Sequence, residues 1–214
     1  LLNGTNMSEN SDARLYLLLP PRFEPEEMGA LLPRILVEVS VACVRLDLGP
    51  APEEDWIRAA NHLIGPCHAA DIALVVTDHY RLAEDLGLDG VHLANSRTPV
   101  REVRKALGND RIVGAWAGTS KHQGMVLAEA GADYVSLGPI GDTGALGDEG
   151  RAEDDLFAWW AEMIETPVVA EGGVTAEDAA RLSPHTDFVV PSLDIWADTD
   201  AIIPALQAYA KALT

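Results

Sequence analysis

The sequence predicts a single-domain α/β protein folded as a (β/α)8 (TIM) barrel. Short, nearly all-apolar runs, which are typical of parallel strands covered on both faces, alternate strictly with helical patterns. Eight such units follow one another within 214 residues, 48% of which are apolar, and this number suits a closed barrel around one core. An open doubly wound sheet is the alternative, and the count of units favours the barrel.

Each predicted strand is a short apolar run, and each is followed by a longer window with helical spacing. The predicted strands cover residues 14–19, 42–48, 72–77, 90–93, 111–116, 133–137, 167–170 and 187–190. The predicted helices cover residues 25–39, 52–70, 79–87, 97–107, 119–131, 154–164, 175–182 and 200–213. Residues 1–13 are polar and predict a disordered leader, so the barrel domain is expected to span residues 14–214.

Local signals agree with several of the helix boundaries. Thr175 with Asp178 three residues later resembles a capping box at a helix start. Asp78 is expected to cap the helix that begins beside it. Gly87 and Gly108 stand where two helices are expected to end.

The composition restricts the classes of partner and compartment. A formal net charge of -19 repels nucleic acid and anionic lipid, so neither is an expected partner. Cys43 and Cys67 lie in no disulfide framework or zinc spacing, and both are expected to be reduced, buried thiols. No apolar run approaches the roughly 18 residues that a membrane span needs. A cytoplasmic location is the expectation.

In a TIM barrel the chemistry lies at the carboxyl ends of the strands, and this rule selects the candidate site residues. They follow the predicted strands from the second to the eighth, and many carry polar or charged groups. The candidates are Arg45, Asp47, Thr77, Asp78, Asn95, Arg97, Trp116, Thr119, residues 138–143, Glu171, Gly172, Gly173, Pro191 and Ser192.

The segments after the seventh and eighth strands predict a phosphate site. Gly172 and Gly173 allow the backbone to approach an anion closely, and Ser192 can add a hydroxyl donor. Loops in these positions commonly bind phosphate in TIM barrels. Glu171 would repel a phosphate unless it points into the barrel or pairs with a cation such as Arg45. A tight turn without a ligand is the alternative interpretation of the glycine pair.

The stretch "YVSLGPIGDTGALGDEG" raises the same question after the sixth strand. Its glycines, beginning with Gly138, would let this loop fold over the same ligand, with Thr143 as a further donor. The acidic residues within 148–155 suit the positive end of a helix dipole, and they lack the fixed spacing of a calcium loop.

Three phrases in this order, "TDHYRLAEDLGLDGVHL", "YVSLGPIGDTG" and "PVVAEGGVTAEDAARL", resemble the thiamine phosphate synthase/TenI family. The resemblance covers roughly residues 15–213. It implies an enzyme that joins an aminopyrimidine methyl diphosphate to a thiazole phosphate and releases diphosphate. It also implies Mg²⁺ held by two carboxylates, a small phosphorylated heterocyclic substrate and a homodimer.

The resemblance assigns the metal to Asp78, which takes the position of the first carboxylate. Arg97 takes the position of the second, where it cannot ligate Mg²⁺ and is expected to contact the diphosphate instead. Arg45 stands where the family has a cationic strand end, but the lysine expected nearby is absent. We therefore expect Asp78, Arg45 and Arg97 to be catalytic.

Two aromatic positions complete the candidate site. Trp116 replaces the serine that the family has after the fifth strand, and it would either stack on a planar ring or fill the barrel mouth. His92 is expected to be a hydrogen-bonded core histidine. The TenI tautomerases use a histidine where this chain has Gly118, and His122, four residues on, is expected to lie on a helix surface.

Three functions remain open from the sequence. The first is a divergent thiamine phosphate synthase in thiamine biosynthesis. The second is a TenI-like tautomerase or isomerase of a phosphorylated heterocycle, with Asp78, Asp47 or Glu171 as acid or base. The third is a non-catalytic barrel that binds a phosphorylated ligand.

Overall fold

A computed structural model describes residues 13–95, 97–141 and 150–214. In it the eight strands, β1 to β8, form one closed parallel barrel in sequence order. A helix follows each strand, so the predicted single-domain (β/α)8 barrel is confirmed. The strands are β1 Arg14–Leu18, β2 Val41–Leu46, β3 Ala73–Thr77, β4 Gly90–Leu93, β5 Ile112–Gly118, β6 Tyr134–Leu137, β7 Val168–Val174 and β8 Phe188–Pro191.

The helices pack on the outside of the barrel. They are α1 Pro25–Glu38, α2 Glu53–Ala69, α3 Tyr80–Leu86, α4 Val100–Leu107, α5 Lys121–Glu129, α6 Asp154–Met163, α7 Ala176–Leu182 and α8 Ile202–Ala212. Short 3₁₀ helices at Ser183–His185 and Leu193–Ala197 flank β8. None of the helices in the described ranges is both long and apolar enough to cross a membrane.

Residues at alternate positions of a strand belong to two different cores, one inside the barrel and one between the sheet and the helices. On β5, Ile112 packs inside the barrel, whereas Val113 packs between the sheet and the helices. Tyr16 and Tyr134 also lie inside, with their rings 5.7 Å apart in an edge-on arrangement. Ala13, which the sequence had placed in the leader, is buried in the outer core and belongs to the barrel.

Most of the predicted helix boundaries are confirmed. Thr175 and Asp178 form a reciprocal capping box at the start of α7. Gly87 and Gly108 end α3 and α4 with φ of 70° and 74°, a region that glycine adopts without strain. The predicted cap by Asp78 is wrong, because its side chain bonds to the segment after β4 and no side-chain cap is formed at α3.

The predicted burial of both thiols is confirmed, and two adjacent tryptophans of α6 are covered to different degrees. Cys43 and Cys67 are both free and buried. Trp160 lies in the core, and its neighbour Trp159 is half-buried under the ammonium group of Lys121, 4.6 Å from its ring centre.

Candidate functional site

A polar layer faces the barrel axis at the carboxyl end of the strands. Four of its residues lie two positions beyond a residue of the inner core, and Trp116 lies four positions beyond Ile112, so strand alternation turns them inward. His92 reaches the same interior through its contact with the Tyr134 hydroxyl. The layer is formed by Arg45 on β2, Thr77 on β3, His92 on β4, Trp116 on β5, Ser136 on β6 and Glu171 on β7.

An ion pair crosses this layer between Arg45 and Glu171. The Arg45 Nη1 atom donates to Glu171 Oε2 at 3.1 Å, and Nη2 contacts Oε1. The Ser136 hydroxyl donates to the same Oε2 at 2.6 Å. The side chains of Arg45 and Glu171 are only 4% and 14% exposed, so the pair is nearly buried. Both arrangements that the sequence left open for Glu171, facing into the barrel and pairing with Arg45, are present.

The ion pair fixes the charge states of both groups. Burial alone would raise the pKa of Glu171, but the Arg45 charge and the hydrogen bonds outweigh it and hold the pKa at about 2. Burial likewise opposes the charge on Arg45, and Glu171 more than compensates, so the Arg45 pKa is raised. Glu171 is therefore ionised at neutral pH, and the charge of Arg45 is neutralised within the protein rather than free for a substrate.

A hydrogen-bonded chain of uncharged groups lies next to the ion pair. The Tyr16 and Tyr134 hydroxyls are 2.7 Å apart, and His92 Nδ1 lies 3.0 Å from the Tyr134 hydroxyl. Burial, aided by the Arg45 charge, lowers the pKa of His92 to about 3. The prediction of a hydrogen-bonded core histidine is confirmed, and its lowered pKa keeps the imidazole neutral at pH 7.

Asp78 joins the segments that follow β3 and β4. Its Oδ1 accepts from the Ala94 amide at 2.9 Å, and its Oδ2 accepts from Asn95 Nδ2 at 2.6 Å. Asn95 Oδ1 in turn accepts from the amide of Arg97 at 2.9 Å. Asp78 has φ of 59°, a left-handed conformation that costs a non-glycine residue free energy and recurs at functional sites.

The same segments border a surface cleft of about 540 Å³. Asp78 and Arg97 both line it, so two of the three predicted catalytic residues come together there. Burial raises the pKa of Asp78, and the charge of Asp47 raises it further, whereas the Ala94 hydrogen bond and Arg97 lower it. Arg45, the third predicted catalytic residue, lies apart in the barrel interior.

The backbone leaves the regular sheet at the end of β7. The register between β7 and β8 shifts between Ala170 and Val174, so the intervening residues bulge. Gly172 and Gly173 have φ of 92° and 68° within this bulge. Their conformation is one that glycine alone adopts readily, which suits the predicted close approach to an anion.

Ser192 begins the 3₁₀ helix after β8. Its hydroxyl donates to Asp194 Oδ2 at 3.0 Å and accepts from the Asp194 amide at 3.4 Å. The hydroxyl proton is thus directed to a carboxylate in this structure. A phosphate at Ser192 would have to exchange this internal bond for its own.

The glycines after β6 are explained by packing against β7. A Cβ atom on Gly138 would lie 1.9 Å from the Glu171 carbonyl oxygen, and one on Gly141 would lie 2.2 Å from that of Gly173. The amides of Ile140 and Gly141 both donate to the Gly172 carbonyl, at 2.8 and 2.9 Å. The described part of this loop, residues 138–141, therefore packs against the β7 bulge, and its folding over a ligand stays a prediction. Thr143 lies outside the described residues.

The described residues fit a divalent metal only with help from the substrate. Across residues 13–95, 97–141 and 150–214, no three His, Cys, Asp or Glu side chains come together as a metal cluster. Mg²⁺ is commonly held by one or two carboxylates together with substrate phosphates and water. Asp78 provides one half-exposed carboxylate of this kind, beside Asp47.

A sequence model of the family described as thiamine monophosphate synthase matches residues 15–189. The chain belongs to this family. A thiamine-phosphate synthase of Rhodospirillum centenum is 40% identical over 187 residues, which are 87% of this chain and 90% of that protein. One from Erythrobacter litoralis is 37% identical over 163 residues, which are 74% and 75% of the two chains.

Solved structures of low sequence identity share the fold. The thiamine phosphate pyrophosphorylase of Pyrococcus furiosus has a TM-score of 0.81 at 20% identity, and 95% and 96% of the two chains are covered. The geranylgeranylglyceryl phosphate synthase of Thermoplasma acidophilum has a TM-score of 0.71 at 13% identity, over 95% and 94%. At these identities the likeness extends to the barrel alone.

Sequence reasoning missed two parts of the site. Ser136, the third member of the ion-pair network, and the link formed by Asn95 between Asp78 and Arg97 were not expected. The signal for Ser136 was present in the alternation of β6, where Tyr134 and Gly138 flank it on the same face. The Asn95 link depends on loop conformation, which strand alternation does not specify.

Proposed function

We propose that this member of the family is a thiamine phosphate synthase, which joins an aminopyrimidine methyl diphosphate to a thiazole phosphate and releases diphosphate. Family membership and the 40% identical relative support this assignment. The observation that carries it is that Asp78 and Arg97 line one cleft beside the segments that follow β3 and β4. A carboxylate for a metal and a cation for a leaving diphosphate are the two groups that this reaction needs.

The barrier to such a reaction is charge separation, since a diphosphate leaves and a carbocation-like pyrimidine remains. Asp78 would hold Mg²⁺ together with the diphosphate of the substrate. A bound Mg²⁺ would neutralise the charge that develops on the departing diphosphate. Arg97 contacts the diphosphate oxygens directly, and Asn95 keeps the Asp78 carboxylate and the Arg97 backbone in place through its two hydrogen bonds.

The phosphate of the thiazole substrate binds at the other side of the barrel mouth. Gly172 and Gly173 in the β7 bulge present backbone to it, with Gly138 after β6 and Ser192 after β8. Thr143, which the sequence names as a further donor, lies outside the described residues. Trp116 stacks on the planar ring of a substrate. Arg45 acts through Glu171, because its charge is already neutralised by that carboxylate.

The tautomerase is the second candidate, and one observation favours it. The pKa of Asp78 is raised, as expected of a carboxylate that transfers protons. Against it, the TenI histidine position is Gly118, and His122 is exposed on α5, as predicted. A tautomerase needs no metal and no diphosphate substrate, so metal dependence separates the two functions.

The test is product formation with both substrates. The purified protein is incubated with aminopyrimidine methyl diphosphate, thiazole phosphate and Mg²⁺, and thiamine phosphate is measured by mass spectrometry beside an authentic synthase. We expect product that is lost with EDTA and reduced at least about 100-fold by Asp78→Asn. Glu84→Gln, which removes a carboxylate from the exposed face of α3, is the matched control and retains activity.

Absence of product from the wild-type protein, while the authentic synthase works, would contradict the proposal. Product that resists EDTA would contradict the role of the metal. A cytoplasmic location and a homodimer remain predictions. Light scattering coupled to gel filtration tests the dimer, which should have twice the mass of one chain.

A further inference from the structure

Glu171 retains hydrogen-bonding capacity toward the barrel mouth. A carboxylate offers about four acceptor positions. Within the described residues three donors reach it: Nη1 and Nη2 of Arg45 and the hydroxyl of Ser136. The side chain lies near the carboxyl end of β7 and is 14% exposed, so a ligand at the barrel mouth can contact it. The charge balance is complete, but one hydrogen bond to the carboxylate is still available.

An aromatic surface adjoins this carboxylate. The Ser136 hydroxyl, which donates to Glu171 Oε2 at 2.6 Å, belongs to the residue that pairs with Trp116 across the sheet. The Trp116 side chain therefore neighbours the residue that holds the carboxylate. Trp116 is half-buried rather than packed within the core. A flat ring resting on Trp116 would have its edge beside Glu171.

The Glu171 carboxylate beside Trp116 favours a ring that carries an N–H donor. An ionised carboxylate attracts a donor and repels a lone pair, so a ring carrying an amino group is accepted and one carrying an oxo acceptor there is rejected. Arg45 and Ser136 bond both oxygens of the carboxylate, so it does not reorient toward water. A diphosphate or phosphate group has no N–H and cannot take this place.

We propose that Glu171 determines specificity for the heterocycle by accepting a hydrogen bond from the exocyclic amino group of the pyrimidine, while the ring stacks on Trp116. This assignment rests on the proposed synthase function, whose pyrimidine substrate carries such an amino group. Arg45 is then a positioning residue, which keeps Glu171 ionised and oriented. Burial of the amino group without this partner would leave a desolvated donor unpaired.

The test compares two ligands on the wild-type protein and its variants. The ligands are aminopyrimidine methyl diphosphate and its analogue in which hydrogen replaces the amino group. Dissociation constants are measured by calorimetry with Mg²⁺ and without the thiazole substrate. The wild-type protein is expected to bind the amino compound about 10- to 100-fold more tightly, the range of a hydrogen bond to a charged group.

Glu171→Gln should reduce this preference to less than about fivefold while the affinity for the analogue stays the same. Trp116→Leu should weaken both ligands by a similar factor and keep the preference. Glu165→Gln is the control: it makes the same substitution at an exposed position shortly before β7 begins, and it should change neither affinity. If Glu171→Gln does not fold, the double variant Arg45→Met/Glu171→Met replaces the ion pair by apolar volume and should also lose the preference.

Two results would overturn the proposal. One is a wild-type protein that binds both ligands equally. The other is a Glu171 variant that keeps the full preference for the amino compound. A protein that shows the preference but forms no thiamine phosphate would retain the recognition role of Glu171 and refute the synthase function, so the two failures are distinguishable.

Discussion

Removal of the Glu171 carboxylate should destabilise the barrel strongly, because it leaves a buried Arg45 without its counter-charge. Two estimates of the lost free energy of unfolding agree. Breaking a buried ion pair from one side typically costs about 3–5 kcal/mol. The folded protein holds the Glu171 pKa at about 2, against an ordinary value of 4.5, and this difference corresponds to roughly 3 kcal/mol. We expect Glu171→Ala to lose about that much free energy of unfolding at pH 7.

The sign of the pH dependence follows from the depressed pKa. A carboxyl whose pKa is lower in the folded protein contributes stability above its unfolded pKa, and this contribution is lost as the pH falls from about 4.5 toward about 2. Arg45→Met/Glu171→Met removes both charges, so its free energy of unfolding at pH 7 should differ from that of the wild-type protein by less than about 2 kcal/mol. It should also lack this part of the acid sensitivity.

The assay is urea unfolding followed by tryptophan fluorescence at pH 7, repeated at intervals down to pH 3. The difference between the wild-type protein and the double variant isolates the ion pair from the other carboxylates. A loss below about 1 kcal/mol in Glu171→Ala would refute the reasoning. So would a double variant as unstable as the single one, since that would indicate lost packing rather than an uncompensated charge.

Two further predictions concern packing and thiol chemistry. Gly138→Ala should lower the free energy of unfolding in urea by about 1–3 kcal/mol or more, because its Cβ would lie 1.9 Å from the Glu171 carbonyl oxygen. The control Gly65→Ala, with nothing within 4 Å of its Cβ, should be neutral or slightly stabilising. Equal losses of stability in the two variants would contradict this explanation. Burial raises the pKa of Cys43 and Cys67 to about 12. A thiol reagent at pH 8 should therefore modify both cysteines in urea and neither of them in the folded protein in buffer. Prompt reaction of the folded protein would contradict their burial.

The barrel was predictable from the sequence because its evidence is local and repeated. Apolar runs with helical windows between them mark eight units, and the capping box at Thr175 and the glycines at 87 and 108 mark boundaries that the structure confirms. The Arg45–Glu171 pair was one of two arrangements that the sequence left open for Glu171, since a carboxylate at the end of β7 needs a cation if it faces the barrel axis.

The rest of the site depends on loop conformation. Asp78 has a left-handed backbone that turns its carboxylate to the segment after β4 instead of to α3, and composition gives no signal for this. The glycine at 138 suggested a bound anion, but the structure shows close contact with the β7 backbone, which demands the same residue type. Sequence alone does not distinguish a ligand from another strand as the cause of such a glycine.

The central claim is most directly tested by ³¹P NMR of one reaction containing the purified protein, Mg²⁺, aminopyrimidine methyl diphosphate and thiazole phosphate. Our account predicts that diphosphate and thiamine phosphate appear in equal amounts, and that neither appears when the thiazole substrate is omitted or when Asp78→Asn replaces the wild-type protein. Unchanged substrates, or diphosphate released without thiamine phosphate, would contradict the assignment of this barrel as a synthase.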